Sequence, residues 1–210
     1  MPAPSLRRRT VLALPLALAA TPAFARTKVV TLLGDSITAG FGLPREAALP
    51  HQLHLALNRL RVANVVRGAG VSGDTTAGGL ARVDFSVKRD TDVAVVALGA
   101  NDLLLGLDTR RIRANLDGII RKLKARRIGV VLAGIDAPVE IGGGYARDYN
   151  AVFAGLARAH GVPLYPDLIA GVARNRRLNQ PDGIHPSAAG VKIIAARLAP
   201  VVAKALAARA

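Results

Sequence analysis

Apolar residues along the chain fall into two alternating patterns. Five short, β-branched runs recur, over 28–33, 62–66, 92–98, 128–133 and 162–165, each bounded by Gly or Pro. Between them lie longer segments with helical spacing, over 50–60, 76–87, 109–126 and 145–160. A last such segment, 187–208, carries Pro200, which removes a helical hydrogen bond and marks a place to kink or break. Near-continuous apolar strands alternating with helices predict a parallel sheet covered on both faces. Five strands and five helices predict a doubly wound, three-layer α/β/α sandwich with a flavodoxin-like five-stranded sheet. In such sheets a ligand meets the carboxyl ends of the strands, so the residues just after each run carry the most information.

The first residues break this pattern. Arg7, Arg8 and Arg9 precede a short apolar stretch, 11–20, and then Ala23, Phe24 and Ala25. A basic start, a short apolar region and an A-x-A site predict an export leader over 1–25, cleaved before Arg26, with a periplasmic or secreted product. The paired arginines resemble a twin-arginine signal, with an ordinary secretory signal as the other route. The remainder, 26–210, has the size of one domain with one core. The chain has no cysteine, which excludes a disulfide framework and thiolate metal sites.

The formal net charge is +15, from 29 basic and 14 acidic residues. With the three leader arginines removed, 26 against 14 leave +12. A basic surface attracts nucleic acid, anionic lipid or acidic substrates. Aromatics make up only 3% of the chain, too few for a platform that stacks single strands, and no nucleic-acid motif is present. The basic residues are spread along the chain and read as a solvated surface, with transient contact to an anionic membrane left open. A monomer is expected.

The loops after the runs are unusual in their chemistry. Gly34, Asp35 and Ser36 follow the first; a glycine-rich stretch, 68–74, follows the second; Gly99, Ala100, Asn101 and Asp102 follow the third. Gly134, Ile135 and Asp136 follow the fourth, and Asp182, Gly183, Ile184, His185 and Pro186 precede the last helical segment. The stretch 68–73 matches G-x-G-x-x-G, so a dinucleotide-binding protein is one reading. That fingerprint belongs after the first strand of its unit, whereas here it follows the second. The other reading starts from Ser36. A serine hydroxyl needs a base within hydrogen-bond reach, and the base needs an orienting carboxylate. Of four histidines, His51 and His54 lie in a helical segment and His160 closes one; these read as structural. His185 stands in a turn with Asp182 three residues earlier, so one loop presents imidazole and carboxylate together. The Asn101 amide can donate to an oxyanion, and Gly73, lacking a Cβ, lets its N–H approach a ligand closely.

With these residues in place the chain resembles the GDSL, or SGNH, hydrolase family, named for Ser, Gly, Asn and His in four blocks. The blocks stand here as Gly34-Asp35-Ser36-Ile37, Gly73 in GVSGDT, Asn101 in GAND, and DGIHP with Asp182 and His185. The likeness extends through YARDYNAVF and GVPLYPDL and is closest to the thioesterase I, lysophospholipase L1 and arylesterase branch. Ile37 replaces the Leu of the family name, and Ala100 replaces a frequent Gly. The resemblance implies a serine hydrolase of esters or thioesters, acting on aryl esters, acyl-CoA or lysophospholipids. Ser36 would be the nucleophile, His185 the general base and acid, and Asp182 its orienting group. The backbone N–H groups of Ser36 and Gly73 and the Asn101 amide would hold the oxyanion. It implies no metal and no cofactor. Leu103, Leu104, Leu105 and Leu107 are candidates for an acyl-binding groove. A carbohydrate O-acetylesterase is the alternative within the family.

Overall fold

A computed structural model describes residues 26–209; the expected leader over 1–25 lies outside them. Five strands form one parallel sheet: β1 (Lys28–Gly34), β2 (Asn64–Gly70), β3 (Val93–Ala97), β4 (Gly129–Ala133) and β5 (Leu164–Tyr165), in the order β2-β1-β3-β4-β5. Seven α-helices connect them: α1 (Ser36–Ala39), α2 (Leu49–Arg59), α3 (Thr76–Ser86), α4 (Ala100–Leu104), α5 (Thr109–Ala125), α6 (Gly143–His160) and α7 (Ala188–Ala207). The five long helices coincide with the five helical segments of the pattern. The short α1 and α4, four and five residues long, carry no periodicity and were not expected.

The layers follow from which faces are apolar. In β3 all five residues are buried, as a central strand with helices on both faces requires. Helices α2 and α7 pack on each other over one face, and α3, α5 and α6 lie in a row over the other. Helix α5 shows the logic most clearly. Ile112, Leu116, Ile119, Ile120 and Leu123 form one buried stripe at helical spacing, each contributing about 1.5–3 kcal/mol by leaving water. Asp108 caps its first turn through the Arg110 N–H at 2.8 Å. Gly161, with φ of 61°, ends α6 in the left-handed conformation that glycine adopts without strain.

Two expectations shift. The second strand begins later than 62 and runs through Gly68 to Gly70, because its ladder with β1 extends as far as the pair Gly34↔Gly70. These glycines are packing positions. A Cβ on Gly70 would lie 2.3 Å from Ala39 N and 2.7 Å from Asp35 O, and one on Gly68 2.9 Å from Pro50 Cγ. The last helix runs through Pro200 without a break. Pro200 and Ala196 are both exposed, so the carbonyl that loses its helical partner faces water. No helix among the described residues is long and apolar enough to cross a membrane.

Candidate active site

All five strands are parallel, so their carboxyl ends and the loops that follow share one edge. Gly34 pairs with Gly70 on one side and with Ala97 on the other. The chain positions just beyond each of these, Ser36, Gly73 and Asn101, are thereby brought to the middle of that edge. A tight turn holds Ser36. Buried Asp35 caps α1, its Oδ1 accepting the Ile37 N–H at 3.0 Å. A Cβ at position 34 would fall 2.1 Å from Thr38 Oγ1 and 2.8 Å from Ala97 O, so only glycine lets the strand turn here. Burial pushes the Asp35 carboxyl up to about 6.

The loop before α7 brings in the histidine. His185 Nε2 lies 2.9 Å from Ser36 Oγ, and His185 Nδ1 lies 2.7 Å from Asp182 Oδ2. The other Asp182 oxygen accepts the backbone N–H groups of Ile184 and His185 at 2.9 and 3.0 Å. The His185 backbone N–H leads the causes that hold the Asp182 carboxyl down at about 2, followed by the imidazole and the Ile184 N–H. An ionised carboxylate only accepts, so the Nδ1 nitrogen carries the proton and Nε2 offers its lone pair to the hydroxyl. Gly183, with φ of 72°, allows the tight turn between acid and imidazole. The loop is pinned from outside. Gln180 N donates to His185 O at 2.8 Å, and its Nε2 reaches Phe41 O at 2.7 Å. The Phe41 ring lies 4.6 Å from the imidazole, centroid to centroid.

Gly73 and Asn101 follow the two strands that flank β1, Gly73 in the loop after β2 and Asn101 in the first turn of α4. Gly73 has φ of 79° and open space where a Cβ would be, so its backbone is reachable by a ligand. Among the described residues the N–H groups of Ser36 and Gly73 meet no acceptor. Asn101 spends one amide hydrogen on Asp74 O at 2.8 Å, which fixes the plane of the amide and leaves the second hydrogen for a ligand. The Gly73 loop is clamped further by residues the sequence did not single out. Arg82, from α3, donates to Asp74 Oδ2 at 2.7 Å, to Ala69 O at 2.8 Å and to Gly34 O at 2.9 Å. It thus ties the ends of β1 and β2 to the loop between β2 and α3. From the other side, buried Asp102 accepts the Thr76 N–H at 2.8 Å and the Thr76 hydroxyl at 2.5 Å.

Beside Ser36 opens a cavity of about 380 Å³, lined by Ile37, Ala100, Leu103, Leu104, Ile135 and Ile169 among others, with Ile184 at its rim and Asp136, Asp167 and Arg174 adding polar atoms. Of the four leucines singled out as candidates for an acyl-binding groove, Leu103 and Leu104 line this cavity. Leu105 lies outside the lining and is exposed, and Leu107 packs against the core. Ile135 and Ile184 were missed, although each sits beside a position already singled out, after β4 and before His185. A larger cavity, about 640 Å³, runs along β2 between Pro50, His51 and His54. None of Ser36, Gly73, Asn101, Asp182 and His185 lines it. There His54 bonds Asn64 and Asn58 at 3.0 Å each, and elsewhere His160 bonds Asp117 at 2.7 Å, structural partnerships in both cases. The dinucleotide reading loses its geometry, since Gly68 and Gly70 lie inside β2 rather than in a turn opening a helix.

The chain matches the model of the GDSL-like lipase/acylhydrolase family over residues 32–193. It is 33% identical to esterase TesA of Pseudomonas aeruginosa, over 79% of this chain and 83% of that one. It is 32% identical to the thioesterase 1/protease 1/lysophospholipase L1 of Escherichia coli, over 78% of this chain and 77% of that one. The crystal structure of AlinE4, an SGNH-hydrolase family esterase, superposes with a TM-score of 0.72 at 37% identity, covering 88% of this chain and 99% of that one.

Proposed function

The chain belongs to the GDSL-like lipase/acylhydrolase family, and on that premise we propose that it is a serine esterase working through an acyl-enzyme. The observation that carries the reading is the continuous chain of hydrogen bonds from Ser36 Oγ through His185 to Asp182. Ser36 Oγ attacks the ester or thioester carbonyl while His185 Nε2 takes its proton. Asp182 stabilises the imidazolium and holds its tautomer. The N–H groups of Ser36 and Gly73 and the Asn101 amide receive the charge that develops on the carbonyl oxygen. His185 then gives its proton to the leaving alcohol or thiol. A water molecule, deprotonated by His185, releases the acyl group in the second half.

The apolar cavity beside Ser36 suits an aliphatic acyl chain better than a sugar, which favours aryl esters, acyl thioesters or lysophospholipids over carbohydrate O-acetyl esters. The test is Ser36→Ala, assayed with short p-nitrophenyl esters and a fluorophosphonate probe. Loss of labelling and of nearly all hydrolysis, with circular dichroism unchanged, is the expected result. Retained hydrolysis in that variant refutes the assignment.

A further inference from the structure

The helices that return along the sheet deliver their carboxyl ends to the edge opposite Ser36. That amino edge gathers positive charge. Arg59 and Arg61 stand at the end of α2, Lys88 and Arg89 between α3 and β3, Arg127 between α5 and β4, and Arg209 after α7, all exposed. Among the described residues none of these six has a carboxylate within ion-pair distance. The acids of this edge are already engaged: Asp84 with Lys122 and Arg126, Asp90 with Arg67, Asp92 with Arg26. Cations in a last helical turn answer the macrodipole, but that field fades within the turn. Arg61, Lys88, Arg89 and Arg127 lie beyond their helices, Arg61 and Arg127 each with φ of 58°. Near the site, by contrast, Glu140 pairs with Arg174, and Asp136 and Asp167 line the same cavity as that arginine. A group of exposed cations without carboxylate partners thus stands on this edge.

Two large apolar side chains are exposed on that same edge, each among cations. Leu60, 47% exposed, stands between Arg59 and Arg61. Phe85, 79% exposed, has Lys88 Nζ 4.7 Å from its ring centroid. Basic side chains interleaved with shallow apolar anchors form the composition of a surface that lies on a lipid headgroup layer. A single-strand nucleic-acid site would offer several stacking aromatics, and this edge has one.

We infer that the amino edge is a docking surface for an anionic phospholipid bilayer. Docking there turns the catalytic mouth away from the lipid. The seven residues of β1 separate the two edges by about 23 Å at roughly 3.3 Å per residue, well beyond the screening length of about 8 Å in physiological salt. The groove therefore faces solvent and takes esters arriving from solution rather than from the leaflet beneath the enzyme. Docking is independent of the Ser36 chemistry.

Co-sedimentation with vesicles of phosphatidylcholine alone, and of phosphatidylcholine mixed with phosphatidylglycerol, tests this. Binding to the anionic vesicles only, abolished by concentrated salt, is expected. Each basic side chain near such a surface is worth about fivefold in affinity. Replacing Arg59, Arg61, Lys88 and Arg89 together by Gln should therefore weaken binding by roughly 10²–10³, with hydrolysis of a soluble aryl ester retained. Leu60→Ser with Phe85→Ser should weaken it further without altering the salt dependence. Ser36→Ala should bind as the wild type does, so failure of docking and failure of the esterase reading are separate results. Equal binding to both vesicle types, no binding to anionic vesicles, or tighter binding to a single-stranded oligonucleotide overturns the inference. The salt and lipid comparison decides this on the wild-type protein even if the fourfold variant does not fold.

Discussion

At the scale of single residues, the proposed function gives the Asn101 amide two jobs at once. One hydrogen holds Asp74 O, and the other is left for the developing oxyanion. Loss of one oxyanion donor typically costs about 10²–10³ in kcat. Asn101→Ala should fall in that range with KM little changed, because the contact matters only as charge develops. Asn101→Asp keeps the size and the turn preference but presents a carboxylate both to Asp74 O and to the oxyanion. It should be at or below the Ala variant in kcat, with thermal stability close to wild type. Near-normal turnover in Asn101→Asp would take this residue out of the site. Ser36, Gly73, Asn101, Asp182 and His185 stand out as candidates in the sequence because each follows a strand or precedes the last helix. Arg82 does not. Its neighbours in the chain belong to an ordinary helix, and its partners at Gly34, Ala69 and Asp74 are backbone oxygens and one carboxylate that no side-chain pattern announces.

At the scale of elements, α3 does more than cover the sheet, because Arg82 makes it a strap across the ends of β1 and β2. Lysine keeps the charge but has a single nitrogen, which cannot span three acceptors in a planar fork. Arg82→Lys should lower kcat by roughly ten- to a hundredfold, the order expected when reacting groups are displaced by about 1 Å. KM and the melting temperature should move much less. A fall in activity that only tracks the unfolded fraction would reduce Arg82 to a structural brace. The same region shows where pattern reading of elements stops. Gly68 and Gly70 read as loop signals, yet they are strand residues chosen because Pro50 and the turn at Asp35 press against them. Pro200 reads as a breaker, yet its face of α7 is solvated. In both cases tertiary context reverses a local preference. The strands and long helices themselves were legible because their apolar runs and stripes face a real core.

At the scale of the whole molecule, the buried Asp35 makes stability depend on pH. Its folded value near 6 lies above the ordinary carboxylate range, chiefly through desolvation, with His185 pulling it down and Asp74 pushing it up. The sign is therefore opposite to that of a salt-bridged acid. Its contribution is full below about pH 4 and is lost as pH rises through 6, by about 3 kcal/mol at 1.36 kcal/mol per unit. Asp167, also raised by burial, acts in the same direction. Asn can cap α1 as Asp does, so Asp35→Asn removes the titration and keeps the turn. Relative to that variant, the wild type should gain about 2 kcal/mol in urea unfolding between pH 6.5 and pH 4, and parallel profiles would show that the ionised form is not penalised. The gathering of those six cations on one edge was not legible in the sequence, since the basic residues are scattered along the chain and meet only when helix ends converge. The bond between Ser36 and His185 has a consequence of a different kind, for it joins positions 149 apart. Ser36 is made early, at the start of α1, and His185 arrives only just before the last helix. On the proposed function, a chain still being synthesised has the hydroxyl but not yet the imidazole that activates it. In that reading hydrolysis waits until the C-terminal end has docked, and esters and thioesters met during synthesis are left intact.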